Sequence, residues 1–338
     1  MTQVGEVVGR PRPRARAAWM LAAKVAFSLA LFAFLFTRVP LARVAETLRA
    51  ARWSGLAAAC SVLFLSNVLG SWQWDRLLKA VDLQIPFPKV LAYYHVGLFF
   101  NNFLPANIGG DIARVLDAAR YGDTPGAAVS TVVLDRIIGT LALAGLALVT
   151  TVPAIDRFHL GVAYAALVVF FAVGVLMLWA VLHPRALPAL ERALSRIGLR
   201  FLKPQLDDLA ERFAGYRERA RLFAGLLALA AVVQILRVGV HVLVARALGI
   251  QLPVTYFFLF VPLLAVIVSL PISLNGIGVR EGAGMLLFGL VGVARAPAFS
   301  LQFTTYLVAV VVSLLGALVV LARIPLRMRR ARDQMRRS

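Results

Sequence analysis

The chain has 338 residues, 61% of them hydrophobic and only 15% charged, with a mean hydropathy of +0.83. A soluble domain carries roughly 25% charged residues, so a soluble globular protein is excluded. A single Cys60 and four scattered histidines (His95, His159, His183, His241) leave no disulfide framework and no metal-ligand spacing.

Arg10, Arg12, Arg14 and Arg16 precede the first apolar stretch, as in a signal peptide. That stretch outruns an ordinary h-region and no A-x-A-like site follows, so residues 18–37 are a retained helix behind a basic tail, 1–17. A crossing needs about 20 apolar helical residues. Six segments qualify: 18–37, 55–76, 127–152, 160–182, 222–248 and 299–322.

Two regions differ. Residues 88–120 are interrupted at Asn101–Asp111, which contains Pro105, Asn107, Gly109 and Gly110. Residues 254–292 are interrupted at Pro271–Gly278, which contains Asn275 and Gly276. Proline removes a backbone donor and glycine loosens the helix. Broken backbone at membrane depth requires protein or water to satisfy it, so both regions are expected to be re-entrant helical hairpins.

The linker 183–221 spaces Leu187, Leu190, Leu194 and Ile197, then Leu206, Leu209, Phe213 and Tyr216, at helical intervals with arginines on the other faces. This pattern suits amphipathic helices on the cytoplasmic surface. A basic tail, 323–338, closes the chain.

The net charge of +20 is explained by loops and tails held on the cytoplasmic side, where Lys and Arg gather, rather than by nucleic-acid binding. Placing residues 10–16, 76–89, 183–221 and the last tail inside puts both termini in the cytoplasm of an inner membrane. Only the loop 38–54, with Arg38, Arg43, Arg49 and Arg52, then falls on the wrong side. The order helix, helix, hairpin, helix then occurs twice. Each break reads Leu-Pro, Asn, Gly-rich, Arg. Two explanations stand: an inverted repeat with its hairpins meeting at the midplane, or two breaks alike only in common composition.

Charges inside membrane segments cost about 2.5–3.5 kcal/mol at the centre on insertion scales, so each needs a reason. Asp111 and Arg114 lie where the first hairpin restarts; they suit an anion site at a helix N-terminus, or a simple cap with Arg114 paired to Asp111. Arg280 and Glu281 hold the matching place in the second hairpin, as a binding site or as a mutual pair. Asp135 and Arg136 are adjacent and cannot face each other on a helix, so each needs its own partner. Gln234, Arg237 and His241 form one stripe at spacings of three and four, fit for a polar cavity or for an interhelical pair. No H-E-x-x-H, G-x-S-x-G or Walker loop occurs, and Gly276-x-Gly278 lacks the rest of a dinucleotide fingerprint. An enzyme is not expected, nor a metal or cofactor.

Asn101–Asp111 through Arg114, Asp135-Arg136-Ile137-Ile138-Gly139, and Pro271–Glu281-Gly282 together resemble the lysylphosphatidylglycerol synthase membrane-region family, also described as flippase-like. The resemblance covers about residues 20–322, so 18–322 is taken as one integral membrane domain. It implies lipid translocation between leaflets. Carried over by motif, Pro105, Gly109, Gly110, Asp111, Arg114, Arg136, Gly276, Gly278, Arg280 and Glu281 are its family-type positions. Asp135-Arg136 departs from a frequent Glu-Arg. The chain stops at Ser338 with no room for a soluble aminoacyl-transfer domain, so synthesis of lysyl lipid is not expected. The expected architecture is an all-α polytopic membrane protein of six full transmembrane helices and two re-entrant hairpins. Its expected work is moving a lipid with an anionic or phosphate-bearing headgroup. The alternatives are a secondary transporter of a small anionic solute and a non-transporting partner of a cell-envelope glycolipid enzyme. Membrane lipids are the expected partners, with a second copy of the chain or an envelope-biosynthesis protein as further candidates.

Overall fold

The computed structural model describes residues 41–103, 109–122, 125–158, 160–182, 216, 219–269 and 276–335. Among them are ten α-helices and no strand: α1 (Leu41–Arg49), α2 (Trp53–Ala80), α3 (Phe87–Phe103), α4 (Gly109–Ala118), α5 (Pro125–Thr151), α6 (Gly161–Leu182), α7 (Ala220–Ala247), α8 (Val254–Ser269), α9 (Val279–Gly289) and α10 (Arg295–Met335). The protein is an all-α membrane protein. α2, α5, α7 and α10 are each long and apolar enough to cross a bilayer, and α6 exposes Val162, Val169, Leu176 and Met177, as a lipid-facing helix would.

The expected crossing at 18–37, the linker 183–215, and the break residues Pro105, Asn107, Pro271 and Asn275 lie outside the described residues. The segment 38–54, read as a loop, contains the helix α1, whose Val44 is buried with Ala296 and Phe299 at the start of α10. Its alternation of arginines with apolar residues is one amphipathic turn after another. α10 runs 41 residues, so the basic residues from Arg323 continue the last helix.

Each interrupted region is an antiparallel helical hairpin. In the first, Gly97 of α3 meets Gly110 of α4 so closely that a methyl group on Gly110 would overlap the Gly97 carbonyl oxygen. In the second, Phe257 and Phe260 of α8 pack on Phe288 of α9, with ring centroids 5.5 and 5.4 Å apart.

The two halves correspond element by element. α2 and α7 begin 167 residues apart (Trp53, Ala220), and so do α3 and α8 (Phe87, Val254). The interval is 170 for α4 and α9 (Gly109, Val279) and for α5 and α10 (Pro125, Arg295). Exchanging the members of each pair maps the packing onto itself: α3 lies on α10 as α8 lies on α5, and α5 touches α7 as α10 touches α2. Local detail follows. Asp82 and Gly249 both take positive φ, 62° and 75°, just after Leu78 and Ala245 accept the amides of Leu83 and Ile250. Positive φ is costly for a residue with a Cβ, so its recurrence at Asp82 reflects the shared turn.

α2 and α7 are antiparallel along their whole length. The Arg52 amide donates to the Ala247 carbonyl (2.8 Å) at one end, Ser66 Oγ to the Val233 carbonyl (3.4 Å) midway, and Tyr216 Oη to the Leu77 carbonyl (3.1 Å) at the other. A two-fold axis that exchanges two antiparallel helices lies perpendicular to them. With α2 and α7 crossing the bilayer, that axis lies in the membrane plane, the arrangement of an inverted repeat.

Candidate functional site

In the first hairpin the glycines bring α4 against α3, and Asn101 Oδ1 accepts the Gly110 amide at 2.9 Å. One free amide at the start of α4 is thus capped from the facing helix. Asp111 receives a forked pair of bonds from Arg136 of α5, Nε to Oδ2 at 3.0 Å and Nη2 to Oδ1 at 3.0 Å. Pairing of Arg114 with Asp111 is therefore corrected. One turn on, Arg114 points to the neighbouring residue of α5 and donates to Asp135 Oδ2 at 2.8 Å. The adjacent Asp135 and Arg136 diverge by about 100° around a helix, and the structure uses that divergence to tie α4 to α5 twice.

Asp135 is nearly sealed. Its other oxygen accepts Gln73 Nε2 from α2 at 2.8 Å. The Arg114 guanidinium lies over both the Trp74 ring (4.3 Å to the centroid) and the Tyr94 ring (4.8 Å). Trp74 Nε1 in turn donates to Thr131 Oγ1. Every member is buried, and a buried charge persists only when paired and hydrogen-bonded.

The second hairpin is wired differently. Gly276 and Gly278 take φ of 74° and 80°, a backbone open to glycine. Glu281 Oε2 accepts the Gly278 amide at 2.7 Å, as an acid in the first turn of a helix does. Arg280 lies over the Tyr306 ring, 4.7 Å from its centroid. The two adjacent side chains thus face different neighbours. The internal correspondence extends here: Glu281 and Tyr306 stand 170 residues beyond Asp111 and Arg136.

Between the hairpins lie two cavities, of about 410 and 230 Å³. They share Leu98, Asn101, Leu143, Gln234 and Arg237. The stripe Gln234, Arg237 and His241 faces the larger one together with Arg280, Asn67 and Tyr306. Arg114, Asp135 and Arg136 line the smaller. Asp111 and Glu281 line neither; they hold the arginine of α5 and the start of α9. Among the described residues no carboxylate lines the larger cavity, and Arg237 makes no ion pair with any of them. Among the described residues no group of His, Cys, Asp and Glu could hold a metal ion.

Residues 21–316 match the family described as the lysylphosphatidylglycerol synthase TM region. The chain belongs to this family. Membership marks it as a multi-pass membrane protein of lipid-related function. No curated protein matches the chain. The part matched as lysylphosphatidylglycerol synthase TM region contains both hairpins and all the described residues lining the two cavities. The motif stretches quoted above missed several of those residues: Asn67 and Gln73 on α2, Tyr94 on α3, and Thr305 and Tyr306 on α10. The signal was present for α2, where Asn67, Gln73 and Asp75 interrupt an apolar helix; polar side chains at membrane depth call for a partner or a cavity.

Proposed function

We propose that this protein is a lipid translocator rather than an enzyme: a phosphate-bearing headgroup passes through the joined cavities while the acyl chains stay in the bilayer. The observation that carries the reading is the larger cavity, lined by Arg237 and Arg280 and, among the described residues, by no carboxylate. Its size falls in the range of about 300–1,000 Å³ usual for small-ligand sites. Arginine offers a phosphate two parallel donors, and a site screened from water makes each stronger. Arg114 has another role, since its Nη2 already donates to the buried Asp135 carboxylate.

Helix length supports re-entrant hairpins. α4 and α9 have 10 and 11 residues, or about 15 Å at 1.5 Å per residue, half of a hydrocarbon core about 30 Å thick. The hairpins then enter from opposite faces and meet in the middle. The basic segments place both termini and residues 183–221 in the cytoplasm of a cell membrane. Reporter fusions are expected to put 153–158 and 293–298 outside; an external 183–221 reverses the orientation.

The direct test is leaflet transfer in proteoliposomes. Purified protein is expected to move fluorescent phospholipids with anionic headgroups between leaflets at rates well above those of empty vesicles. Protein that moves none of them, yet passes small inorganic anions, would give the function to solute transport instead.

A further inference from the structure

Gln234 of α7 donates from Nε2 to the carbonyl oxygen of Gly139 on α5, 3.1 Å away. The internal two-fold carries this contact onto Asn67 of α2 and Ala309 of α10, at the offsets of 167 and 170 residues that relate those helices. Both residues line the larger cavity. Asn67 is only 4% exposed, yet its amide makes no hydrogen bond with a described residue and faces the cavity. One amide tie is thus made and its two-fold mate is parted, and the larger cavity lies at the parted tie.

We propose that Gln234 and Asn67 are paired latches that close in alternation. In the state described, Gln234 joins α7 to α5 and the Asn67 amide is available to a polar group in the cavity. In the other state Asn67 joins α2 to α10 through the Ala309 carbonyl, and Gln234 leaves Gly139. Several features make the exchange inexpensive. The acceptors are a glycine and an alanine, so neither presents a bulky side chain to the incoming amide. Each released amide faces a polar cavity that can satisfy it, so neither state strands a buried donor. The cost of parting one tie is offset by making the other, which is what two states of similar free energy require. Asn is one methylene shorter than Gln, so α2 and α10 approach each other more closely in the second state than α5 and α7 do in the first.

The inference deepens the transport reading, but its test uses no cargo and stands or falls separately from it. On a Cys60→Ala background, spin labels at Leu65 and Leu318 report the α2–α10 distance, and labels at Val232 and Val149 report the α7–α5 distance; all four side chains are exposed. Pulsed electron resonance is expected to find two populations for each pair. Gln234→Leu is expected to raise the ratio of α2–α10-closed to α2–α10-open protein about fivefold, the ratio set by one hydrogen bond of about 1 kcal/mol. Asn67→Leu is expected to shift it the other way. Gln234→Asn, milder for folding, is expected to act in the same direction as Gln234→Leu. A single population for both pairs, or distributions that none of the three substitutions moves, overturns the proposal.

Discussion

Replacing Arg114 by Gln is expected to destabilise the protein more than any other single exchange at the site. Arg114 and Asp135 are 5% and 8% exposed, so the substitution leaves a carboxylate buried without its countercharge. Removing one partner of such a pair costs about 3–5 kcal/mol. The stacking of the guanidinium on Trp74 and Tyr94 is lost as well, at about 0.5–2 kcal/mol for each cation–π contact. Arg114→Gln with Asp135→Asn removes both charges and keeps a side-chain carbonyl oxygen on α5 for Gln73, so most of the loss should be recovered. Melting in mild detergent, together with the yield of monodisperse protein, measures both variants. A single variant that melts like the parent would show that Asp135 does not depend on Arg114.

Arg237→Gln or Arg280→Gln is expected to slow lipid transfer by roughly tenfold or more per folded molecule. A charge-assisted hydrogen bond contributes about 1.5–3 kcal/mol, and about 1.4 kcal/mol corresponds to one decade. Lysine should rescue only in part, because a point charge does not reproduce the planar fork of arginine. Arg237→Gln should keep the parent's stability, since it separates no ion pair with a described residue. Arg280 has Glu281 beside it, so the double variant Arg280→Gln with Glu281→Gln separates the roles. Normal transfer by that variant would remove Arg280 from direct contact with the headgroup.

Much of this architecture was legible in the sequence, because its signals are local. Apolar length marked α2, α5, α6, α7 and α10, and Pro and Gly marked the two hairpins. For the stripe Gln234, Arg237 and His241 the spacing leaves a cavity and an interhelical pair open; all three line one cavity, and Gln234 also ties α7 to α5. What the sequence hid was pairing across helices. Arg114 stands three residues from Asp111 and 21 from Asp135, and spacing along the chain offered only the nearer carboxylate as its pair. The cap reading of Asp111 rests on its place in the first turn, and spacing gives no sign that Asn101 reaches the Gly110 amide from another helix. α1 was missed because a helix of nine residues, too short to cross a membrane, leaves no long apolar run.

The exchange of partners between halves also bears on how the chain is made. α3 of the first half lies against α10 of the second, where a side chain on Gly316 would meet the backbone of His95. At about 5–20 residues per second, a ribosome that has finished the first hairpin needs on the order of ten seconds or more to deliver α10. For most of that interval, once α5 has followed, the hairpin has Gln73, Asp135 and Arg114 at hand but not the helix that seals its other flank. A nascent half is therefore an incomplete solvent shell for its own charges. The order of insertion favours a first half that is held near the translocation machinery until the last helix arrives.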